Sequence, residues 1–399
     1  MINLSEEARA LQETIVTHRR YIHENAEIHN DLPITTAYVM ARLTEMGYDP
    51  KEISKSGIVA IAGEKTGKTI LLRADMDALP IVEENELQFK SKSQFMHACG
   101  HDMHTAMLLG AARLLKDHES ELEGQVKLMF QPGEETMVGA KAMVDAGVLD
   151  NPKVDVAIMI HVLSGIPVPT GSIIIPQGGV LSAAADWFKI TIQGKGGHGA
   201  MPNTTIDPLN VLSHIHLALQ EINSREIAPS DNVALTIGQM HGGSTSNVIP
   251  DTAFLTGSIR TFGEESREFV KSRLQQIAIG VASTFRASAT VEFEKGCPSV
   301  TIDQNFRDQI IEYTINLFGK ACLVDINKIM GSSKISGSED FAFVSERVPG
   351  VMLSIAAGSP EEGHPFPQHH PKITFNEDSL SIGSALYANT AIEWLKNNK

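Results

Sequence analysis

The chain has only three cysteines, Cys99, Cys297 and Cys322, in 399 residues. An odd number so widely spaced excludes a dense disulfide framework and fits a reducing compartment, with the cytoplasm as the expected location. Also absent is any run of about 18 apolar residues, the length a helix needs to span a bilayer. Met1 to Glu7 show no basic segment leading into an apolar one, so a secretory signal is not expected. No cluster of lysine and arginine occurs either. With 33 basic against 48 acidic residues the formal net charge is −15, which disfavours nucleic acid and anionic membrane as partners. No internal repeat or low-complexity stretch is visible, so a solenoid or an array is not expected.

What is present is ordinary in bulk and concentrated in detail. A hydrophobic content of 42% with 20% charged residues suits a globular protein of two or three domains. The segment Met96-His97-Ala98-Cys99-Gly100-His101-Asp102-Met103-His104 packs one thiol, three imidazoles and a carboxylate into the start of an apolar helical pattern. Cys99 and His101, a glycine apart, can both face one cavity, and thiolate with imidazole is a ligand mixture that suits zinc and its neighbours. The spacing matches no zinc-finger pattern. Taken alone, the segment is equally well explained by capping or solvated histidines and a small buried cysteine.

In chain order, Leu4, Ala8, Leu11, Ile15 and Ile22 predict a helix over 5–24 with Ser5 as its N-cap, and a second helix over 35–46 stops at Gly47. Residues 58–62 and 69–73 read as a strand pair joined by the turn 64–68. The second of these runs into Asp75-Met76-Asp77. The strand 126–130 runs into Gln131-Pro132-Gly133-Glu134-Glu135, and the apolar run 154–160, which suits a strand buried on both faces, ends in His161. Three successive strands thus deliver an acid, an acid pair and an imidazole to their carboxyl ends, where open α/β sheets place their ligand sites. Adjacent glutamates repel unless a cation sits between them or one keeps a proton.

From Trp187 the pattern changes to strand 188–192, helix 207–222, strands 233–237 and 253–259, helix 264–284 and strand 289–293. That βαββαβ order is the signature of a ferredoxin-like unit. An α/β pattern resumes with a helix over 304–318, a strand over 351–356 and a helix from 377. The expected architecture is a discontinuous α/β domain, residues 1–183 and 297–399, interrupted by a ferredoxin-like insertion, residues 184–296. His364 and His369-His370-Pro371 fall in a loop after a strand, matching the placement of the earlier candidates.

Cys99, His101, Glu134, Glu135, His161 and one of His369 or His370 are too many ligands for one tetrahedral zinc with an open position. They suit two metals roughly 3.5–4 Å apart, with one ligand bridging and one acid left over as a base. A thiolate is a credible bridge. Methionines 96, 103, 107 and 137 gather around these segments and read chiefly as core packing, with an adaptable acyl pocket as the alternative.

At this point Arg73-Ala74-Asp75-Met76-Asp77-Ala78-Leu79-Pro80, the 96–104 segment, Phe130-Gln131-Pro132-Gly133-Glu134-Glu135, Gly194-Lys195-Gly196-Gly197-His198, Asn247-Val248-Ile249-Pro250-Asp251, Gly337-Ser338-Glu339-Asp340-Phe341 and His369-His370-Pro371 can be taken together. In order and over nearly the whole chain they resemble the motifs of the co-catalytic metallopeptidases, a family of aminoacylases, hippurate hydrolases, indole-acetyl-amino-acid hydrolases and carboxypeptidases.

The resemblance implies two divalent ions, zinc first with manganese, cobalt or nickel as alternatives, held by Cys99, His101, Glu135, His161 and His369. It implies Glu134 as the base that shuttles the proton of a metal-activated water, and Asp77 as a carboxylate orienting a ligand histidine. It implies that the insertion is a lid and dimerisation platform, so that a homodimer or higher homo-oligomer is expected. His198 would stabilise the carbonyl oxyanion, and Asn247 and Arg260 would hold a substrate carboxylate. The expected substrate is an N-acyl amino acid or short peptide; a dipeptidase, aminopeptidase or carboxypeptidase is the alternative, and a catalytically silent binding protein a minor one. Relatives more often carry alanine where Gly133 and Gly199 stand, changes expected only to loosen the local backbone.

Overall fold

Residues 3–399 are described by a computed structural model; Met1 and Ile2, on which part of the expectation about the chain's start rests, lie outside the described residues. In chain order the strands are β1 (Lys51–Ser54), β2 (Gly57–Ala62), β3 (Thr69–Asp75), β4 (Gln125–Gln131), β5 (Val156–Leu163), β6 (Ile173–Ile175), β7 (Gly179–Val180), β8 (Ala184–Gln193), β9 (Gly197–His198), β10 (Ala234–Gly242), β11 (Val248–Ile249), β12 (Thr252–Thr261), β13 (Ser288–Cys297), β14 (Thr301–Ile302), β15 (Leu323–Asp325) and β16 (Gly350–Ala356). The chain divides into two compact units. No helix among the described residues is long and apolar enough to cross a membrane.

The first unit comprises residues up to Leu181, Val300–Ser333 and Glu339–Lys399. Its sheet has the order β1-β2-β4-β3-β5-β16-β6-β15. β4, β3, β5 and β16 run parallel to one another, and all seven residues of β3 are buried, as a strand covered on both faces should be. Helices His101–Asp117 and Ser379–Asn397 pack on each other and against β3. Parallel strands present their carboxyl ends along one edge, and the loops after β3, β4 and β16 carry most of the candidate residues.

Four expectations need correction. β2 and β3 are not a hairpin, because β4 lies between them: β2 pairs antiparallel with β1 and β4, and β3 pairs parallel with β4 and β5. The first helix splits into Leu4–Ala10 and Gln12–Glu24. Its N-cap is Asn3, whose side chain accepts the Glu6 amide, and not Ser5. His161 does not follow its strand but is the sixth residue of β5; it lies two residues past Met159, the last position paired to β3, and is still paired to Ser354 of β16.

The second unit comprises Ser182–Ser299 and Lys334–Ser338. Its sheet, β10-β12-β8-β13, is antiparallel throughout. Phe188, Ile190 and Ile192 of β8 and Leu255 and Ile259 of β12 alternate inward onto Leu212, Ile215 and Leu219 of helix Pro208–Glu221 and Leu274 of helix Glu264–Thr284. Period-two alternation meeting two amphipathic helices makes this a core of its own. The chain leaves the first unit through β7 and re-enters it through β14, and these two short strands pair with each other. A later return, Lys334–Ser338, also joins the second unit, through a Ser182–Ile335 bridge that the sequence does not announce.

Candidate metal centre

Gly100 explains how Cys99 and His101 come to face one point. Its backbone is left-handed, with φ +89°, and a Cβ there would lie 2.4 Å from Val162 Cγ2. Only glycine accepts both that conformation and that approach. The turn therefore closes onto β5 and opens the helix at His101, while Cys99 Sγ lies 3.5 Å from His161 Nε2.

The histidines are oriented by main-chain acceptors. His101 donates Nδ1–H to the Asp77 carbonyl at 2.8 Å, and His161 donates Nδ1–H to the Val162 carbonyl at 2.7 Å. In both rings this leaves Nε2 with its lone pair directed at the cluster, the arrangement a metal-ligating imidazole needs. His104 is different. The Val162 amide donates to its Nε2 at 2.8 Å and its Nδ1–H goes to Asp75 Oδ1 at 2.5 Å, so both nitrogens are used. Although Asp75, His101 and His104 lie close together, His104 has no lone pair left for an ion. His97, in the same segment, is buried with no hydrogen-bond partner on either ring nitrogen among the described residues.

Two groups of donors share one atom. Cys99, His101 and His161 form one, and Cys99, Glu135 and His369 the other, with the donor atoms of each group within 4.8 Å of one another. His369 Nε2 lies 3.5 Å from Glu135 Oε1, and its ring is half exposed, so it marks the solvent side. His370 instead stacks on Phe366, ring centroids 4.3 Å apart, and accepts the Lys372 amide. Glu134 and Glu135 sit on a turn whose amides both donate to the Asp77 carboxylate, at 2.9 and 3.2 Å. That carboxylate, expected from the sequence to orient a ligand histidine, accepts both glutamate amides and lies 3.6 Å from His101 Nδ1, whose nearer acceptor is the Asp77 carbonyl.

The electrostatics call for cations. His101 Nε2 and Glu135 Oε1 are buried with no hydrogen-bond partner among the described residues, a costly state unless an ion completes them. Burial raises Glu134 well above the usual carboxylate range, and Glu339, Asp340 and Glu135 add to it. Burial likewise pushes Glu135 to about 7, and it raises the Cys99 thiol, with Glu135 contributing. For His101 burial opposes protonation, but Asp75 and Asp77 outweigh it and raise its pKa. The negative surroundings that would keep a proton on that ring would equally favour a metal in its place. Thiolate, imidazole and carboxylate donors, two of them orphaned, fit a pair of divalent ions.

Beneath this layer lies a network to which sequence reasoning assigned no role. Arg73, fully buried in β3, pairs with Asp75 at 2.7 Å, Glu339 at 2.9 Å and Asp340 at 2.8 Å, and donates to Gln131 at 2.7 Å. The available signal was an arginine inside an otherwise apolar strand. Its single charge is shared among three carboxylates, and burial with Glu339 beside it still pushes Asp340 up to about 8.

His198, Asn247 and Arg260 all fall in the second unit. β9 and β11 pair His198 with Val248, so the His198 and Asn247 motifs adjoin; a Cβ at Gly199 would lie 2.9 Å from the Asn247 carbonyl oxygen. Arg260 is on β12.

Comparison with known proteins gives a consistent answer. The profile described as peptidase family M20/M25/M40 matches residues 71–393. An N-acetyl-L-cysteine deacetylase of Bacillus subtilis is 37% identical over 401 residues, covering 100% of this chain and 91% of the relative. The IAA-amino acid hydrolase ILR1-like 4 of Arabidopsis thaliana is 38% identical over 94% of this chain and 84% of the relative. The crystal structure of the Bacillus subtilis YXEP protein, described as a dinuclear metal binding peptidase, superposes with TM-score 0.80 at 32% identity, covering 97% of this chain and 99% of that one.

Proposed function

Because the chain belongs to peptidase family M20/M25/M40 and is a metal-dependent amide hydrolase, we propose that it cleaves the amide bond of N-acyl amino acids, with Glu134 as its proton shuttle. The observation that carries this reading is the pair of donor groups sharing Cys99, with Glu134 outside both and close to His101 of one and Glu135 of the other. Two divalent ions held by Cys99, His101, Glu135, His161 and His369 supply, when bound, Lewis acidity toward the scissile carbonyl and toward water. Zinc best suits a thiolate-containing set; manganese, cobalt and nickel accept these donors as well.

The remaining steps belong to the chain's own residues. Glu134 takes a proton from the attacking water and passes it to the leaving nitrogen. Asp77 holds the turn that aims it. In this reading His198 stabilises the oxyanion, while Asn247 and Arg260 receive the substrate carboxylate, for which a planar guanidinium is well shaped. The names of the deacetylase and IAA-amino acid hydrolase relatives favour N-acyl amino acids over peptides.

The inserted unit would act as lid and dimerisation platform. Supporting the latter, β10 is an edge strand, and Met240 and Val248 are exposed near it, features that invite pairing with a second copy. The three free cysteines fit work in the cytoplasm, where Cys99 stays reduced.

The test is a panel of N-acetyl and N-benzoyl amino acids and short peptides, run on metal-replete protein and on Glu134→Ala. Turnover of N-acyl amino acids should exceed that of peptides. It should vanish in the variant while both ions are retained, and near-normal turnover there would remove Glu134 from the reaction.

A further inference from the structure

Trp187, on β8, has a cation on each side of it in the sheet. On β12, Ser258 stands opposite Trp187 and Arg260 two residues further on, with its guanidinium carbon 4.9 Å from the Trp187 ring centroid. On β13, Lys295 stands directly opposite, its Nζ 4.5 Å from the same centroid. Two like charges thus flank one aromatic ring.

A β-bulge creates this pairing. Phe293 pairs with Phe188, so an unbroken ladder would bring Glu294 opposite Trp187; the register shift between Phe293 and Lys295 brings the lysine there instead. Bulges commonly re-aim a side chain beside a functional site. Here the irregularity replaces an acid by a base next to Arg260.

Neither cation is neutralised by a described residue within ion-pair distance. Arg260 makes one side-chain hydrogen bond, to the Ile259 carbonyl at 3.3 Å. By contrast Arg267 and Arg273 in the same unit are paired with Asp186 and Glu226. In a chain of net charge −15, two cations flanking one half-buried indole, neither in an ion pair although Asp186 acts on Arg260 from further off, offer a place for an anion.

We propose that Arg260 and Lys295 together receive a substrate bearing two carboxylates, so that the preferred amino acid portion is acidic, of the aspartate or glutamate kind. The inference rests on the reading that Arg260 holds the substrate's α-carboxylate; Lys295 then takes the side-chain carboxylate, and Trp187 fixes both cations. No bond is made or broken by these groups.

Two measurements test it. The first compares kcat/KM for N-acetyl-glutamate and N-acetyl-glutamine, which differ in one charge. A charge-assisted contact should favour the glutamate at least about tenfold, and Lys295→Met should lower that ratio by about tenfold while Lys295→Arg largely preserves it. A wild-type ratio near one, or a ratio unmoved by Lys295→Met, overturns the proposal. The second is independent of turnover. Glutarate titrated into the metal-loaded protein should quench tryptophan fluorescence with at least about tenfold higher affinity than its monoamide. Trp187→Phe, leaving Trp394 in the other unit, should abolish the signal, and equal affinities for dianion and monoanion overturn the proposal even if no N-acyl amino acid is cleaved. Arg260→Met should weaken every carboxylate tested. If it weakens none, the Arg260 reading itself fails, a result separate from the fate of Lys295.

Discussion

His101 Nδ1 lies 2.8 Å from the Asp77 carbonyl oxygen but 3.6 Å from its carboxylate, which instead accepts the amides of Glu134 and Glu135. One residue thus fixes a histidine tautomer through its main chain and a two-glutamate turn through its side chain. Asp77→Ala should leave His101 oriented and release the turn. Metal affinity should fall by about 10–100-fold, read by competition with a chelator, and kcat should fall with it at saturating metal. Wild-type affinity in this variant would mean that the turn is held by its other contacts.

Cys99 is the one donor common to both groups. Cys99→Ala removes a ligand from each, so elemental analysis of dialysed protein should find fewer than two ions per chain. Replacing His369, half exposed and in only one group, should weaken one ion more than the other. Retention of both ions by Cys99→Ala would show that the bridge lies elsewhere.

Much of this centre was legible in the sequence because apolar runs identified buried strands and the polar residues beyond them identified the sheet edge. Local patterning failed where partners are distant. The turn at 64–68 implied a hairpin, but β3, buried along its whole length, takes a parallel neighbour from about fifty residues downstream on its β2 side. The role of Arg73 was hidden for the same reason, since Glu339 and Asp340 reach it only through the fold. His369 and His370 are indistinguishable by spacing. They separate because His369 adopts φ +66°, which turns it toward Glu135, while His370 lies against Phe366.

Glycine at position 133 was expected only to loosen the local backbone, but its conformation and surroundings call for it. Its φ is +65°, and a Cβ would fall 1.6 Å from Asn30 Oδ1, an atom buried without a hydrogen-bond partner among the described residues. The two residues are complementary in volume, directly before Glu134. Gly133→Ala should cost about 1–3 kcal/mol, combining left-handed strain with displacement of Asn30. Adding Asn30→Gly should recover the steric part, giving a coupling above about 0.5 kcal/mol in urea denaturation of metal-free protein. Strict additivity would show that Asn30 swings away freely.

His18, 6% exposed, hydrogen-bonds through Nδ1 to the Tyr38 hydroxyl at 2.8 Å. Burial, reinforced by Arg42, lowers its pKa to about 4 from 6.5. Between those values the unfolded chain binds a proton that the folded chain refuses, so acidification favours unfolding. The stability His18 contributes is therefore intact above pH 6.5, is lost as pH falls toward 4, and changes no further below that, where both states are protonated. The full loss is at most about 3 kcal/mol. His18→Gln can keep a partner for Tyr38 without titrating, and carboxylate effects common to both proteins cancel in the comparison. With metal removed from both, the drop in unfolding free energy from pH 7.5 to 4.5 should be about 2–3 kcal/mol smaller in the variant. Equal drops would mean that His18 titrates in the folded protein as it does in the unfolded chain.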